Sequence, residues 1–292
     1  NGLIYFKGKY HFFYQCNPYE GFWGSIYWGH AVSDDMLHWE YLPLALAPSE
    51  VYDEHPRGGC FSGSAIEHDG RLFLMYTAAA NEGRGVEQTQ CIAYSKDGIH
   101  FEKYHGNPVL TAPEGIEANQ FRDPKVWKHE DTYYMVCGAS RDGKGQALLY
   151  QSKDMLHWTF FNVLAESRGE WGYMWECPDF YPMGDKYVLM FSPMGSRCTW
   201  RVILIMGQVR SAIISAARLT GDLIITRRSP SWPRMEGGSL LPGPMNGNGC
   251  PYGRTGDQPI RKAGAAFSIF QGKSGCWRTG RLSSCRPRRL NP

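Results

Sequence analysis

Glu176 is a single carboxylate in an apolar stretch of the chain, with Tyr173, Met174 and Trp175 before it and Cys177 after it. Apolar surroundings disfavour the charged form of a carboxyl group, so they raise its pKa until it can hold a proton near neutral pH. A carboxyl group of that kind can act as a general acid. The alternative interpretation is that Glu176 simply begins a strand at the protein surface.

The spacing between Glu176 and the turn that follows it is repeated upstream. Ser62 and Asp123 also precede a polar turn and an apolar strand by eight residues. The turn residues are Gly184, Asp131 and Gly70. We therefore predict that Ser62, Asp123 and Glu176 occupy one structural position in successive copies of a unit. Counting back eight residues from the first such turn, Lys7-Gly8, leads to a position before Asn1. In this sequence the first copy is thus expected to lack the residue that corresponds to Ser62, Asp123 and Glu176 in the other copies.

Composition excludes several classes of protein. With 292 residues, 42% of them hydrophobic and 14% aromatic, the chain has enough apolar material for a substantial core, which excludes intrinsic disorder. No apolar run approaches the roughly 18 residues of a membrane-spanning helix. No basic, apolar leader is visible, which favours a cytoplasmic protein, although a mature secreted fragment would lack a leader as well. Nine cysteines without a C-x-x-C spacing indicate buried, reduced thiols, with zinc binding and disulfides as the alternatives.

A seven-residue string recurs along the chain. It has the form Ser-x-Asp-x-x-His followed by Trp or Phe, and it occupies residues 33–39, 95–101 and 152–158. Intervals of 62 and 57 residues are typical of the larger repeats that build propellers and arrays. Each copy contains about four short strand patterns and almost no helical periodicity. The sequence therefore predicts an all-β fold, a β-propeller with four-stranded blades.

Each string carries a histidine, His38, His100 or His157, that could be a metal ligand. All three have an aromatic neighbour and lie at the same predicted turn, without the accompanying residues of a metal site. Residues that serve the fold recur in every copy, whereas chemistry is expected where the copies differ. We therefore interpret these histidines as turn caps and predict no metal site.

The first strands of propeller blades line the central channel, so their leading residues can converge on one pocket. Here such a pocket would combine Ser62, Asp123 and Glu176 with Arg122 and with aromatic rings from Trp23, Phe61 and Trp175. Carboxylates can bind sugar hydroxyls, and aromatic rings can pack against the C–H face of a sugar. We expect Arg122 to pair with the adjacent Asp123 and to keep it ionised, in contrast to Glu176.

Six motifs occur in an order that identifies a family. They are Asn1-Gly2-Leu3, the Tyr10 to Pro18 stretch with Gln15, Trp28-Gly29-His30-Ala31, Phe61-Ser62-Gly63-Ser64-Ala65, Phe121-Arg122-Asp123-Pro124-Lys125-Val126-Trp127, and Trp175-Glu176-Cys177-Pro178. With these motifs, residues 1 to about 195 resemble glycoside hydrolase family 32, the β-fructosidases that include invertase, levanase and sucrose-6-phosphate hydrolase. The resemblance implies a five-bladed β-propeller followed by a β-sandwich, and retention of configuration at the anomeric carbon of fructose.

By position in these motifs, the resemblance implies Glu176 as the acid/base. It implies Asp123, with Arg122 beside it, as the residue that binds fructose hydroxyls and stabilises the transition state. The residues implied for the fructose subsite are Asn1, Gln15, Trp23, Phe61 and Ser62. In the family's Asn-Asp-Pro-Asn-Gly motif the nucleophile is the Asp, two positions before the Asn that corresponds to Asn1. This polypeptide is therefore expected to have little or no hydrolase activity, while its full-length parent would be an active β-fructosidase.

The expected partner is a small sugar, sucrose or a related fructoside, with no nucleic acid and no membrane. No cofactor is expected, because two carboxylates suffice for retaining hydrolysis. The motifs lean toward the bacterial sucrose or sucrose-6-phosphate type and do not separate these from inulin or levan. One alternative is a non-catalytic propeller that binds fructosides. Another is the inverting, arabinan-cleaving propeller class, against which the motifs around Ser62 and Glu176 argue.

The chain changes character near residue 197. Residues 198–292 contain 15 Lys and Arg but only three acidic residues. Residues 1–197 contain 16 Lys and Arg and 25 acidic residues. Neither a fifth blade nor the β-sandwich is recognisable there. We therefore predict an incomplete propeller catalytic domain over 1–196 and an atypical basic tail over 197–292 that is out of frame or poorly ordered. Resequencing the DNA near codon 196 tests a shifted frame, and a divergent tail or a nucleic-acid-binding arm are the alternatives.

Overall fold

The computed structural model describes residues 1–80, 86–183, 186–195, 200–206 and 224–227. All of them belong to one compact unit, Asn1–Gly253. Every regular element in these ranges is a β-strand, and the strands form four antiparallel sheets of four strands each. The described ranges contain no helix of the length and apolarity needed to cross a membrane.

The sheets follow one another along the chain, and each is a meander. The first contains β1 (Leu3–Phe6), β2 (Lys9–Cys16), β3 (Tyr27–Ser33) and β4 (Glu40–Leu46). The second contains β5 (Gly59–His68), β6 (Arg71–Ala80), β7 (Glu87–Ser95) and β8 (Glu102–Lys103). The third contains β9 (Phe121–His129), β10 (Thr132–Arg141), β11 (Lys144–Ser152) and β12 (Thr159–Glu166). The fourth contains β13 (Met174–Met183), β14 (Lys186–Met194), β15 (Trp200–Met206) and β16 (Ile224–Arg227).

Apolar layers between successive sheets form the core. Neighbouring residues of a strand face opposite sides of the sheet, so on β6 Leu74 packs toward the first sheet and Met75 toward the third. The layer between the third and fourth sheets includes Trp175, whose ring stacks on Phe191 with 3.8 Å between centroids. Face-to-face packing of consecutive four-stranded meanders confirms the predicted all-β propeller with four-stranded blades.

The fourth sheet continues past the predicted domain boundary at residue 196. Strand β15 pairs with β14, and β16 pairs with β15. The rest of 197–292 lies outside the described residues, and so does any further blade or β-sandwich. The fifth blade and the atypical tail therefore stay predictions.

The three Ser-x-Asp-x-x-His strings form equivalent turns. In each, the Ser hydroxyl donates to the Asp carboxylate, which also accepts the backbone N–H groups two and three residues later. The imidazole Nδ1 lies 2.6–2.7 Å from the other carboxylate oxygen. The three imidazoles are 81–89% exposed, and no cluster of three or more potential metal ligands occurs in the described part of the chain. The interpretation of these histidines as turn caps is confirmed.

Two other histidines form a buried pair in the first sheet. His11 Nδ1 lies 3.0 Å from His30 Nε2, and the ring of Phe13 stacks on His30 with 4.3 Å between centroids. Burial lowers the pKa of His30 to about 3, and the neighbouring His11 adds to this shift. Burial also lowers the pKa of His11. The folded state therefore disfavours protonation of either ring, chiefly because burial removes water from the charged form.

We expect the free energy of unfolding to rise with pH up to about 6.5, where an unfolded histidine loses its proton. The pKa of His30 in the folded protein, about 3, lies below that value, so between the two pH values the unfolded chain binds more protons than the folded one. The expected slope from this residue is up to about 1.4 kcal/mol per pH unit. Urea denaturation between about pH 5 and pH 7.5 measures it away from most carboxylate titrations.

The matched comparison is His30→Gln, which should flatten this pH dependence. The control is His105→Gln, which removes an imidazole at an exposed position without touching the buried pair and should leave the pH dependence unchanged. An unchanged slope in His30→Gln would contradict the assignment of the pH dependence to the pair.

Candidate active site

The first strands of three successive sheets carry the predicted chemistry. Ser62 lies on β5, Asp123 on β9 and Glu176 on β13, and β9 contacts both of the other strands. Each strand has a register shift at this point, after Phe61 in β5, after Arg122 in β9 and after Glu176 in β13. Bulges of this kind re-aim side chains near functional sites. The three residues therefore lie on the first strands of neighbouring sheets, and their convergence on one pocket stays a prediction.

The predicted equivalence of the three residues is wrong by one position for Glu176. In the ladders Phe61 pairs with Thr77, Arg122 with Gly138, and Glu176 with Ser192. Glu176 thus occupies the position of Arg122, while Cys177 occupies that of Asp123 and Ser62. The eight-residue count ran to the second of the two residues that follow β5 and β9, but to the first of the two residues that lie between β13 and β14 in the sequence. A one-residue difference changes the face on which a strand side chain lies.

The bulge residues have an unusual backbone conformation. Asp123 has a φ of 65° and Cys177 a φ of 47°, both in the left-handed region that non-glycine residues rarely adopt. Asp123 is buried, and its Oδ2 accepts the backbone N–H of Cys177 at 2.7 Å, which joins the third and fourth sheets. Cys177 itself is exposed rather than packed as a small hydrophobe, because the bulge turns it out of the ladder.

Arg122 pairs with Glu176 across the two sheets. Its Nη2 and Nε donate to Glu176 Oε1 at 3.1 and 3.3 Å. The expected pairing of Arg122 with Asp123 is wrong, since within the described residues the ion pair of this guanidinium is with Glu176. The physical reason is the bulge at Asp123, which directs its carboxylate to the backbone N–H of Cys177 instead.

The surroundings of Glu176 raise its pKa overall, as a proton donor requires. The side chain is 36% exposed, while that of Arg122 is 9% exposed. Burial raises the pKa of Glu176, the Arg122 cation opposes the shift, and the Asp123 carboxylate reinforces it. The apolar wall differs in part from expectation: Met174 and Trp175 are buried, but Trp175 packs in the layer between the third and fourth sheets instead of lining the site.

Four of the five residues predicted for the fructose subsite, all except Asn1, form two contacting pairs. Ser62 Oγ donates to Gln15 Oε1 at 2.5 Å. The Trp23 ring meets Phe61 edge-to-face, with 5.4 Å between centroids. Trp23 Nε1 donates to the carbonyl of Arg57 at 3.2 Å, which fixes a ring that is 45% exposed. One hydroxyl–amide pair and one open aromatic surface are therefore present on the first two sheets.

Asn1 lies beside the carboxylate end of the site. Its backbone nitrogen lies within electrostatic range of Cys177 and Asp123. The following Gly2 has a φ of 73°, and a Cβ there would lie only 3.0 Å from that of Ala65. The structure therefore brings the beginning of the first sheet to Asp123, as the assignment of Asn1 to the subsite requires.

Sequence reasoning missed the buried polar partners of these residues. Gln88 and Gln120 accept hydrogen bonds from Arg122 Nη1, both at 3.1 Å. Ser64 Oγ donates to the carbonyl of Pro124 at 2.8 Å and so links β5 to β9. An available signal was a pair of amides at alternate positions, Gln88 and Gln90, in the stretch that forms β7, where apolar side chains are the rule for buried positions.

Comparisons with known proteins agree with this geometry. The model of the glycosyl hydrolases family 32 N-terminal domain matches residues 1–219. A sucrose-6-phosphate hydrolase of Escherichia coli is 50% identical over 201 residues, and a raffinose invertase of Escherichia coli is 50% identical over 202; each match covers 67% of this chain and 41% of the relative. The chain thus spans about two fifths of the length of these curated relatives.

Solved structures give the same result. A β-fructofuranosidase of Bombyx mori, solved as a mutant in complex with sucrose, superposes with a TM-score of 0.64 and 42% identity. That match covers 72% of this chain and 45% of the other. A sucrose-6-phosphate hydrolase of Lactobacillus gasseri superposes with a TM-score of 0.63 and 33% identity, covering 70% of this chain and 43% of the other.

Proposed function

This chain belongs to glycosyl hydrolase family 32, and we propose on that premise that its parent protein cleaves terminal β-D-fructofuranosides with retention of configuration. The substrates we propose are sucrose or sucrose 6-phosphate, the sugars that the names of its relatives indicate. The observation that carries the proposal is the Glu176 carboxyl group, which has a raised pKa, contacts Arg122 and lies near Asp123.

In the proposed reaction Glu176 donates its proton to the glycosidic oxygen as the bond to the fructose anomeric carbon breaks. Asp123 and the pair formed by Gln15 and Ser62 bind fructose hydroxyls. A nucleophilic carboxylate forms the fructosyl-enzyme, and a water activated by the now ionised Glu176 hydrolyses it. The carboxyl groups of Glu176 and of the nucleophile must lie roughly 5–5.5 Å apart for this sequence of steps.

The nucleophile is proposed to come from the residues that precede Asn1 in the family's Asn-Asp-Pro-Asn-Gly motif. The position of Asn1 beside Asp123 and Cys177 supports this, because a chain entering through Asn1 would reach the site. Release of glucose and fructose from sucrose by a chain extended with Met-Asn-Asp-Pro tests the proposal.

A second candidate function is fructoside binding without turnover. It is favoured by the fact that the Gln15–Ser62 and Trp23–Phe61 pairs form within residues 1–292, without the proposed nucleophile. It predicts that residues 1–292 bind fructose or sucrose, and that no extension of the chain brings hydrolysis.

Trp23→Ala is expected to weaken fructose binding by residues 1–292 about tenfold, or about 1.4 kcal/mol, because it removes the open aromatic surface of the site. Isothermal titration calorimetry measures the dissociation constant. Phe160→Ala is the control, since Phe160 is 50% exposed on β12 of the third sheet, outside the predicted subsite. Equal losses in the two variants, or none in Trp23→Ala, would remove Trp23 from the subsite.

A further inference from the structure

The backbone at Asp123 needs outside support. A non-glycine residue in the left-handed region costs of order 1–3 kcal/mol and persists only where its surroundings hold it. The register shift between β9 and β10 falls at this residue, so its N–H is not used in the ladder. The support comes from the second sheet rather than from the neighbouring strand.

Thr77 of β6 provides the missing acceptor. Its Oγ1 accepts the N–H of Asp123 at 2.8 Å and donates to Gln90 Oε1 at 2.8 Å. Gln90 Nε2 in turn donates to the carbonyl of Phe121 at 2.9 Å. Thr77 and Gln90 are directly opposite each other in the β6–β7 ladder, and both are fully buried. The hydroxyl of Thr77 and both polar atoms of the Gln90 amide group are therefore hydrogen-bonded, either to each other or to the backbone of β9.

Gln88 extends the same row of polar groups toward Arg122. Its Oε1 accepts the backbone N–H of Phe121 at 3.0 Å and the Arg122 Nη1 at 3.1 Å. The second sheet therefore contacts both residues that lie near the acid Glu176. It binds Asp123 through the backbone N–H and Arg122 through the guanidinium group.

These polar residues interrupt an apolar layer. On the same strands, two residues away and hence on the same face, Met75 precedes Thr77 and Ile92 follows Gln90, and both pack in the core between the second and third sheets. Apolar side chains would fill this layer without the desolvation cost of buried amides and hydroxyls. A network retained against that cost, with each contact aimed at residues 121–123, points to positioning of the site.

We propose that Thr77, Gln88 and Gln90 are positioning residues. They hold the backbone of residues 121–123 and the guanidinium group of Arg122 in the geometry that the carboxyl groups of Asp123 and Glu176 require. They do not touch the substrate. The inference rests on the proposed function for the catalytic meaning of that geometry, but the contacts themselves can be tested without turnover.

The first test uses residues 1–292 as they are. Thr77→Val keeps the volume and removes both hydrogen bonds, whereas Thr77→Ser keeps the hydroxyl. We expect amide hydrogen exchange at Asp123, followed by NMR, to accelerate at least tenfold in Thr77→Val, and fructose affinity to fall about tenfold. Thr77→Ser should restore both, and Thr89→Val, the same substitution on β7 outside the network, should leave both unchanged. Unaltered exchange at Asp123 in Thr77→Val overturns the proposal.

The second test uses the chain extended with Met-Asn-Asp-Pro. Gln88→Met removes one acceptor of Arg122, so a loosened guanidinium should oppose the raised pKa of Glu176 less. The alkaline limb of the kcat/KM profile is then expected to move to higher pH, which a loss of stability alone would not produce. An unmoved limb in an active Gln88→Met enzyme overturns the part of the proposal that concerns Arg122. If the extended chain with native Thr77 and Gln88 fails to hydrolyse sucrose, the proposed function fails, and the exchange experiment still decides the positioning.

Discussion

Extension of residues 1–292 with Met-Asn-Asp-Pro before Asn1 is expected to produce sucrose hydrolysis, and Glu176→Gln in the extended chain is expected to lower kcat by 10²–10⁴, or about 3–5 kcal/mol. Gln has the size of Glu but cannot donate a proton to the leaving oxygen. The raised pKa of Glu176 and its contact with Arg122 are the structural reasons for assigning it that proton transfer.

The matched control is an extension with Met-Asn-Asn-Pro, which differs from the active form by one carboxylate. We expect it to be as inactive as residues 1–292 alone, because no fructosyl-enzyme can form without the nucleophile. Glucose release and product configuration, followed by NMR, measure both rate and retention. Equal activity of the two extensions would show that the nucleophile lies elsewhere in the chain.

Asp123→Asn is expected to lower kcat/KM of the extended chain by about 10²–10³, because it removes a negative charge that stabilises the transition state. Asn is among the residues that tolerate a positive φ, so the conformation at this position should survive. The amide oxygen can still accept the Cys177 N–H. The loss should therefore reflect the charge and not the fold.

The same variant has a predicted pH signature. The Asp123 carboxylate contributes to the raised pKa of Glu176, so its removal should lower that pKa and move the alkaline limb of the kcat/KM profile to lower pH. Asp131→Asn, in the exposed turn after β9, is the control. A limb that stays in place, or an equal loss of kcat/KM in Asp131→Asn, would contradict the role of Asp123.

Local patterns in the sequence predicted much of the fold correctly. The Ser-x-Asp-x-x-His strings predicted their turns because each hydrogen bond there joins residues two or three positions apart. The repeat interval indicated a propeller or an array, and the short strand patterns, about four in each copy, predicted four-stranded blades. The motifs also predicted the chemical groups of the site, namely Glu176, Asp123, Gln15 and Ser62.

Contacts between sheets could be seen only in the tertiary structure. Arg122 binds Glu176, 54 residues away, and not the adjacent Asp123. Asp123 is held by Thr77, 46 residues earlier, and Trp175 packs in the core although it adjoins the acid. The face on which a strand side chain lies depends on the phase of a two-residue period, and a single bulge residue changes that phase. The sequence by itself determined which groups are present and which strands carry them, whereas the bulges and the packing of successive sheets decided which groups meet.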